Sequence, residues 1–173
     1  MKSCTPFRKQ ILLSAALLHG MSLAIMAQQP NAAGPAFDAT TLTYVGEKHL
    51  VNVRQLTFGG DNAEAYWSFD GQSLVFQANY AEWGTACDQI FLYRDINDVD
   101  RSPKMLSTGL GRTTCAYFLP GDQNVLYAST HQGGHSCPPE PPREGGRYVW
   151  PLYPSFDIYV ADLNGELQSQ LTH

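Results

Sequence analysis

Tyr66-Trp67-Ser68-Phe69-Asp70-Gly71-Gln72-Ser73-Leu74-Val75-Phe76-Gln77-Ala78 lines up without gaps on Tyr117-Phe118-Leu119-Pro120-Gly121-Asp122-Gln123-Asn124-Val125-Leu126-Tyr127-Ala128-Ser129, about 51 residues further along the chain. Aromatic, turn and apolar positions coincide. Each copy reads as a strand, a tight turn in which Gly tolerates φ > 0, and a second strand. A hairpin that recurs at a fixed spacing points to a repeat architecture rather than to one irregular domain.

The match continues outward. Gln89-Ile90-Phe91-Leu92-Tyr93 corresponds to Asp157-Ile158-Tyr159-Val160-Ala161, now about 68 residues apart because the second copy carries about 17 extra residues. A shorter echo links Val53-Arg54-Gln55-Leu56-Thr57, Lys104-Met105-Leu106-Ser107-Thr108 and Gln168-Ser169-Gln170-Leu171-Thr172. Between these runs stand Gly, Asp, Asn and Pro, and no stretch sustains a helical period for three turns. The expectation is all-β. Strands are expected at about 63–67, 73–78, 89–94 and 104–107, then at about 114–118, 124–129, 157–161 and 167–172. Four antiparallel strands every ~45 to 50 residues is the period of a β-propeller blade. Residues 44–173 then hold about two blades of an incomplete propeller, with repeats at 53–103 and 104–173 and an insertion at 130–155.

Leu56-Thr57-Phe58-Gly59-Gly60-Asp61, followed by 66–76 and by Asp88-Gln89-Ile90-Phe91-Leu92-Tyr93, resembles the repeat of TolB-like propellers. That repeat has a Leu-Thr, an aromatic-Ser-Pro-Asp-Gly turn and an Ile-aromatic-apolar strand; Phe69 stands where Pro is usual, and 119–122 is a degenerate form of the turn. The resemblance covers nearly all of 53–173 and implies the propeller fold. It says little of activity, because propellers host many. TolB itself carries an α/β domain before its propeller, whereas a short polar lead-in stands here, so the resemblance does not extend to a Tol-Pal role. Two blades cannot close a ring, and two outer faces rich in Phe, Tyr, Leu and Val are expected to want further blades or self-association. Residues 51–57 are expected to supply a lone outer strand.

Lys2, Arg8 and Lys9 precede the apolar run 11–27, which ends in small residues before Gln28-Gln29-Pro30. This reads as a secretory signal peptide, 1–27, cleaved after Ala27; an uncleaved membrane anchor is the alternative. Residues 28–43 read as a flexible lead-in. The whole chain of 173 residues has 11 basic and 16 acidic side chains, net −5. Loss of 1–27 removes three basic residues and no acid, leaving eight against sixteen, net −8. Such an acidic protein does not hold nucleic acid through a basic patch. The compartment is expected to be periplasmic or extracellular, without stable membrane insertion once the signal is cleaved.

Cys87, Cys115 and Cys137 remain after cleavage, so one disulfide and one leftover thiol are expected. Cys115 opens an innermost strand and the other two lie in loops at the same end, which favours pairs containing Cys115; no pairing is fixed by sequence. His131, His135 and Cys137 are metal-ligand types, but no strand or helix fixes their geometry, so neither metal nor other cofactor is expected. Gly134-His135-Ser136-Cys137-Pro138 comes within one residue of a nucleophile elbow and fails on its Pro-rich context. Asp95, Asn97, Asp98 and Asp100 read as a solvated acidic turn, lacking the spacing of a calcium loop.

The insertion should emerge at the same end as the connection 109–114. Arg112, His131, Tyr148, Trp150 and Tyr153 are therefore candidate residues of a recognition face, because aromatic side chains on a Pro-stiffened loop lose little entropy on binding. A loop folded down over its own blade explains the same residues. The expected function is non-enzymatic binding of a protein, peptide or glycan by what is expected to be the N-terminal portion of a longer propeller, a chain that closes by assembling with other copies being the alternative to that. The alternative is the propeller portion of a larger hydrolase, prolyl-oligopeptidase-like or amidohydrolase-like.

Overall fold

The computed structural model describes residues 44–98, 102–142, 144–147, 149 and 151–173. The proposed signal peptide and lead-in lie outside them. Eight strands form two four-stranded antiparallel sheets, each a simple meander. The N-sheet comprises β1 (Asp61–Trp67), β2 (Leu74–Asn79), β3 (Gln89–Tyr93) and β4 (Lys104–Met105). The C-sheet comprises β5 (Thr113–Phe118), β6 (Asn124–Ser129), β7 (Asp157–Asp162) and β8 (Leu167–Gln170). Each strand falls within a few residues of the position that the periodicity predicts.

The duplication extends to the backbone. A bulge interrupts β1 between Ala63 and Tyr66, and a matching one interrupts β5 between Thr114 and Tyr117. At the corresponding positions inside them, Glu64 and Cys115 both have φ near +49°. The hairpin turns match as well, with Gly71 at φ +70° and its counterpart Asp122 at φ +56°. One local fold is therefore written twice.

Alternation along the strands sorts side chains to the two faces. Val75, Ile90, Leu92 and Leu106 of the N-sheet meet Ala116, Phe118, Val125, Tyr127, Tyr159 and Ala161 of the C-sheet in one buried core. At about 1.5–3 kcal/mol for each large apolar side chain fully withdrawn from water, this interface dominates the attraction between the sheets. Polar ties flank it. The Asp122 carboxylate accepts from the backbone N–H groups of Phe69 (2.8 Å) and Asp70 (3.0 Å), and Arg94 Nη2 donates to the Leu163 carbonyl at 3.1 Å.

Two expectations need correction. Residues 51–57 form no strand; the segment lies over the outward face of the N-sheet, where Leu56 packs with Trp83 and Met105 on Leu74, Phe76, Phe91 and Tyr93. Tyr93 donates its hydroxyl to the Leu56 carbonyl at 2.9 Å, and Arg54 donates to the Ile96 carbonyl. The N-sheet's outer face is thus largely covered by its own flanking segments rather than open to water. The reason is that Leu56 and Trp83 are themselves apolar and gain more from this face than from an edge pairing. The sheets do not close into a ring among the described residues.

Candidate functional site

In a meander, alternate connections leave the sheet at the same end. The β2–β3 loop, the β4–β5 turn and the long β6–β7 insertion accordingly gather at one end of the two sheets. Gly111, in the β4–β5 turn, sits at their junction. Its N–H donates to the His135 carbonyl at 2.9 Å, and its own carbonyl accepts from Gln89 Nε2 at 2.8 Å. The turn is further clamped by Thr130, whose N–H donates to the Arg112 carbonyl (3.0 Å) while its hydroxyl accepts from the Arg112 N–H (3.0 Å).

Cys87, on the β2–β3 loop, and Cys137, on the insertion, are joined as a disulfide with Cα atoms 6.0 Å apart. This corrects the preference for a pair containing Cys115. The bulge that gives Cys115 its left-handed backbone leaves its side chain exposed, with a free thiol, away from the loop sulfurs. With Cys137 oxidised, the trio His131, His135 and Cys137 has no thiolate to offer a metal. The Asp95 turn has a local explanation too, since Asp95 Oδ1 accepts from the Asn97 N–H at 2.8 Å.

Arg112 is an enclosed charge, its side chain 16% exposed against 25% for Asp88 and 59% for Glu140. Nη2 donates to Glu140 Oε1 on the insertion at 3.0 Å, and Nε lies 3.8 Å from Asp88 Oδ2 without a hydrogen bond. Asp88 also holds the next strand, its carbonyl accepting from both the N–H and the hydroxyl of Thr113 at 2.9 and 3.1 Å. Beside Arg112 a cleft of about 60 Å³ is lined by Gln77, Asp88, Thr114, Pro151 and Tyr153. Tyr153 is half-buried, donates its hydroxyl to the Pro139 carbonyl at 2.9 Å, and its ring lies 5.8 Å from that of Phe156, tilted at 42° to it.

Of the residues singled out from sequence, Arg112 and Tyr153 come together at this cleft. His131 turns inward: its ring lies 4.3 Å from that of Tyr159, Nδ1 is 2.9 Å from Ser129 Oγ, and burial lowers its pKa from the ordinary histidine value. Tyr148 and Trp150 lie outside the described residues. Nothing in the local pattern marks Asp88, Thr130 and Gly111; their roles come from contacts across 18 or more residues. Beneath them, Tyr127 is pushed up to about 12 by burial and by neighbouring Tyr159, so both phenols remain neutral core groups. The Tyr159 hydroxyl is buried without a hydrogen-bond partner.

No protein-family model matches the chain, and no curated protein matches it either. Among the described residues no helix is long and apolar enough to cross a membrane. What the fold and the site define is an all-β protein of two duplicated four-stranded meanders with one elaborated, disulfide-pinned end.

Proposed function

We propose that the chain is a propeller-type repeat protein of the TolB-like kind that binds a protein, peptide or glycan at the loop-bearing end of its sheets. It is exported by residues 1–27 and works in the periplasm or outside the cell, where a disulfide persists. The reading is non-enzymatic, the loops recognising rather than transforming their ligand. The observation that carries it is the convergence of three separate connections around Arg112, held by the Cys87–Cys137 bond and the Gly111–His135 hydrogen bond. A loop that only covered its own sheet would not need pinning to a loop of the other sheet. Pre-ordered aromatic and guanidinium groups are what recognition surfaces use, because ordering costs have already been met during folding.

The test is a glycan array and a displayed peptide library, both screened with the wild-type protein and with Tyr153→Ala and Arg112→Ala. The expected result is a hit whose affinity falls by about tenfold or more in either variant, as for a contact at the centre of an interface. Hits indifferent to both substitutions would place recognition elsewhere.

A further inference from the structure

The cleft beside Arg112 carries a charge balance that narrows what it can hold. The guanidinium brings one positive charge, and the carboxylates flanking it, Glu140 at 3.0 Å and Asp88 at 3.8 Å, bring two negative ones, which leaves this wall at net −1. A phosphate, sulfate or carboxylate entering the cleft would shed its own hydration only to meet a like charge. A lysine or arginine head fares no better, because it would lie against a guanidinium already engaged with those carboxylates. A neutral polar group is what remains.

The polar atoms of the wall come as an acceptor and a donor. The Asp88 carboxylate makes no hydrogen bond with Arg112 Nε and remains to accept. Gln77 Oε1 accepts from the Cys115 N–H at 3.3 Å, which leaves the Gln77 amide N–H groups to donate. The volume of about 60 Å³ admits a few water-sized groups rather than a whole ring. Each hydroxyl both donates and accepts, so two on neighbouring carbons satisfy this pair together. A peptide unit does not, because its N–H and C=O point in opposite directions across a trans bond. The rim is apolar: Tyr153, whose hydroxyl is fixed on the Pro139 carbonyl, stands there with Pro151 and Phe156. A sugar ring combines hydroxyls along its edge with C–H groups on its face, the pairing that such a wall and rim require.

We propose that the cleft takes the edge of an uncharged pyranose through two neighbouring hydroxyls, one donating to the Asp88 carboxylate and the other accepting from the Gln77 amide. The C–H face of the sugar rests on Tyr153. This rests on the loop-end reading of function and narrows its three ligand classes to a neutral glycan. Arg112 then acts by position: it neutralises one carboxylate and holds Glu140 of the insertion at the cleft, rather than pairing with an anionic ligand.

Saturation-transfer NMR of the protein produced from its full sequence tests this, with the methyl pyranosides of mannose, galactose and glucose as probes, which together present cis and trans arrangements of neighbouring hydroxyls. At least one should bind with a dissociation constant of the order of 1 mM, as befits so small a ligand. Asp88→Asn and Gln77→Ala should each weaken it about tenfold or more, since each leaves one hydroxyl without its partner. Circular dichroism confirms that the variants fold; Asp88→Asn keeps the side chain's shape and the backbone carbonyl that holds Thr113, so it decides the matter should Gln77→Ala unfold. Glucuronate and trilysine should give no signal. No binding of any pyranoside about tenfold above that concentration overturns the inference, as does binding that a folded variant leaves unchanged, or a preference for glucuronate or trilysine. If the pyranosides fail while a library peptide binds with Arg112 and Tyr153 dependence, the glycan assignment falls and the loop-end reading stands. Pyranoside binding indifferent to Arg112→Ala and Tyr153→Ala places recognition elsewhere and sinks both.

Discussion

Gly111 shows how a single residue can hold three loops. Its φ of +60° is a conformation that disfavours any Cβ, and a Cβ built there would lie 2.7 Å from Thr130 Oγ1 and 2.8 Å from the His131 nitrogen. Gly111→Ala should cost about 2 to 4 kcal/mol, strain and crowding together. Gly121→Ala, at φ +91° with open space around the added atom, should cost only about 1 to 2 kcal/mol from strain. Urea denaturation of the two variants measures the difference; equal losses would show that the close approach to Thr130 contributes nothing. His131 sets a pH dependence nearby. Burial holds its folded pKa below the ordinary value of 6.5, so as pH falls past 6.5 the unfolded chain takes up a proton that the folded chain resists. Stability should then decline from pH 6.5 downward until the folded pKa is passed. The Asp70 carboxylate, lowered from 3.8 by the Ser68 hydroxyl and the Gln72 N–H, loses its contribution only at still more acidic pH. His131→Gln should flatten the slope of unfolding free energy between pH 5 and pH 6.5, about where histidine titrates; an unchanged slope would exonerate this ring.

At the scale of elements, the disulfide ties the β2–β3 loop to the insertion across 50 residues of chain. Loop-closure entropy for that length is about 4 kcal/mol at 25 °C, an upper figure because unfolded chains retain structure. Cys137→Ser should lower stability by a few kcal/mol, at most about 4 kcal/mol, and Cys115→Ser should leave it nearly unchanged, both read from denaturation midpoints. Non-reducing peptide mapping should find Cys115 alone alkylated among the three, and a Cys115-linked peptide would refute the pairing. The choice of partner was not legible in sequence because it depends on where a bulge points one side chain. The strands themselves were legible, since a period of two and a recurring turn are local properties. The bulges were not: nothing in Ala63-Glu64-Ala65 or Thr114-Cys115-Ala116 announces a left-handed residue, which arises from fitting two twisted hairpins side by side. Nor was the covering of the N-sheet by Leu56 and Trp83, because an apolar residue in an aperiodic segment says only that it seeks burial, not where. At the loop end, Arg112 and Tyr153 could be named from composition and position, whereas Asp88 and Glu140, which hold Arg112, became visible only in space.

For the whole molecule, the decisive feature is that the largest core belongs to neither sheet alone. Leu92 and Leu106 come from the N-sheet and Phe118 and Val125 from the C-sheet, all nearly inaccessible to water. Four strands with one apolar face each would be marginal in isolation, so each sheet owes its stability to the other. The two sheets should therefore melt in a single transition, although they are two copies of one motif. Phe118→Ala should remove about 3 to 5 kcal/mol and Leu92→Ala about 2 to 5 kcal/mol. Because both side chains line one core, the double variant should depart from additivity by about 0.5 kcal/mol or more. In a Trp150→Phe background, tryptophan fluorescence reports the N-sheet through Trp67 and Trp83, and far-ultraviolet circular dichroism reports all eight strands. Coincident midpoints by the two probes in every variant are the expected outcome. Were Phe118→Ala to shift the dichroism midpoint and leave the fluorescence midpoint in place, the sheets would be independent modules and the shared core would not be what holds each of them folded.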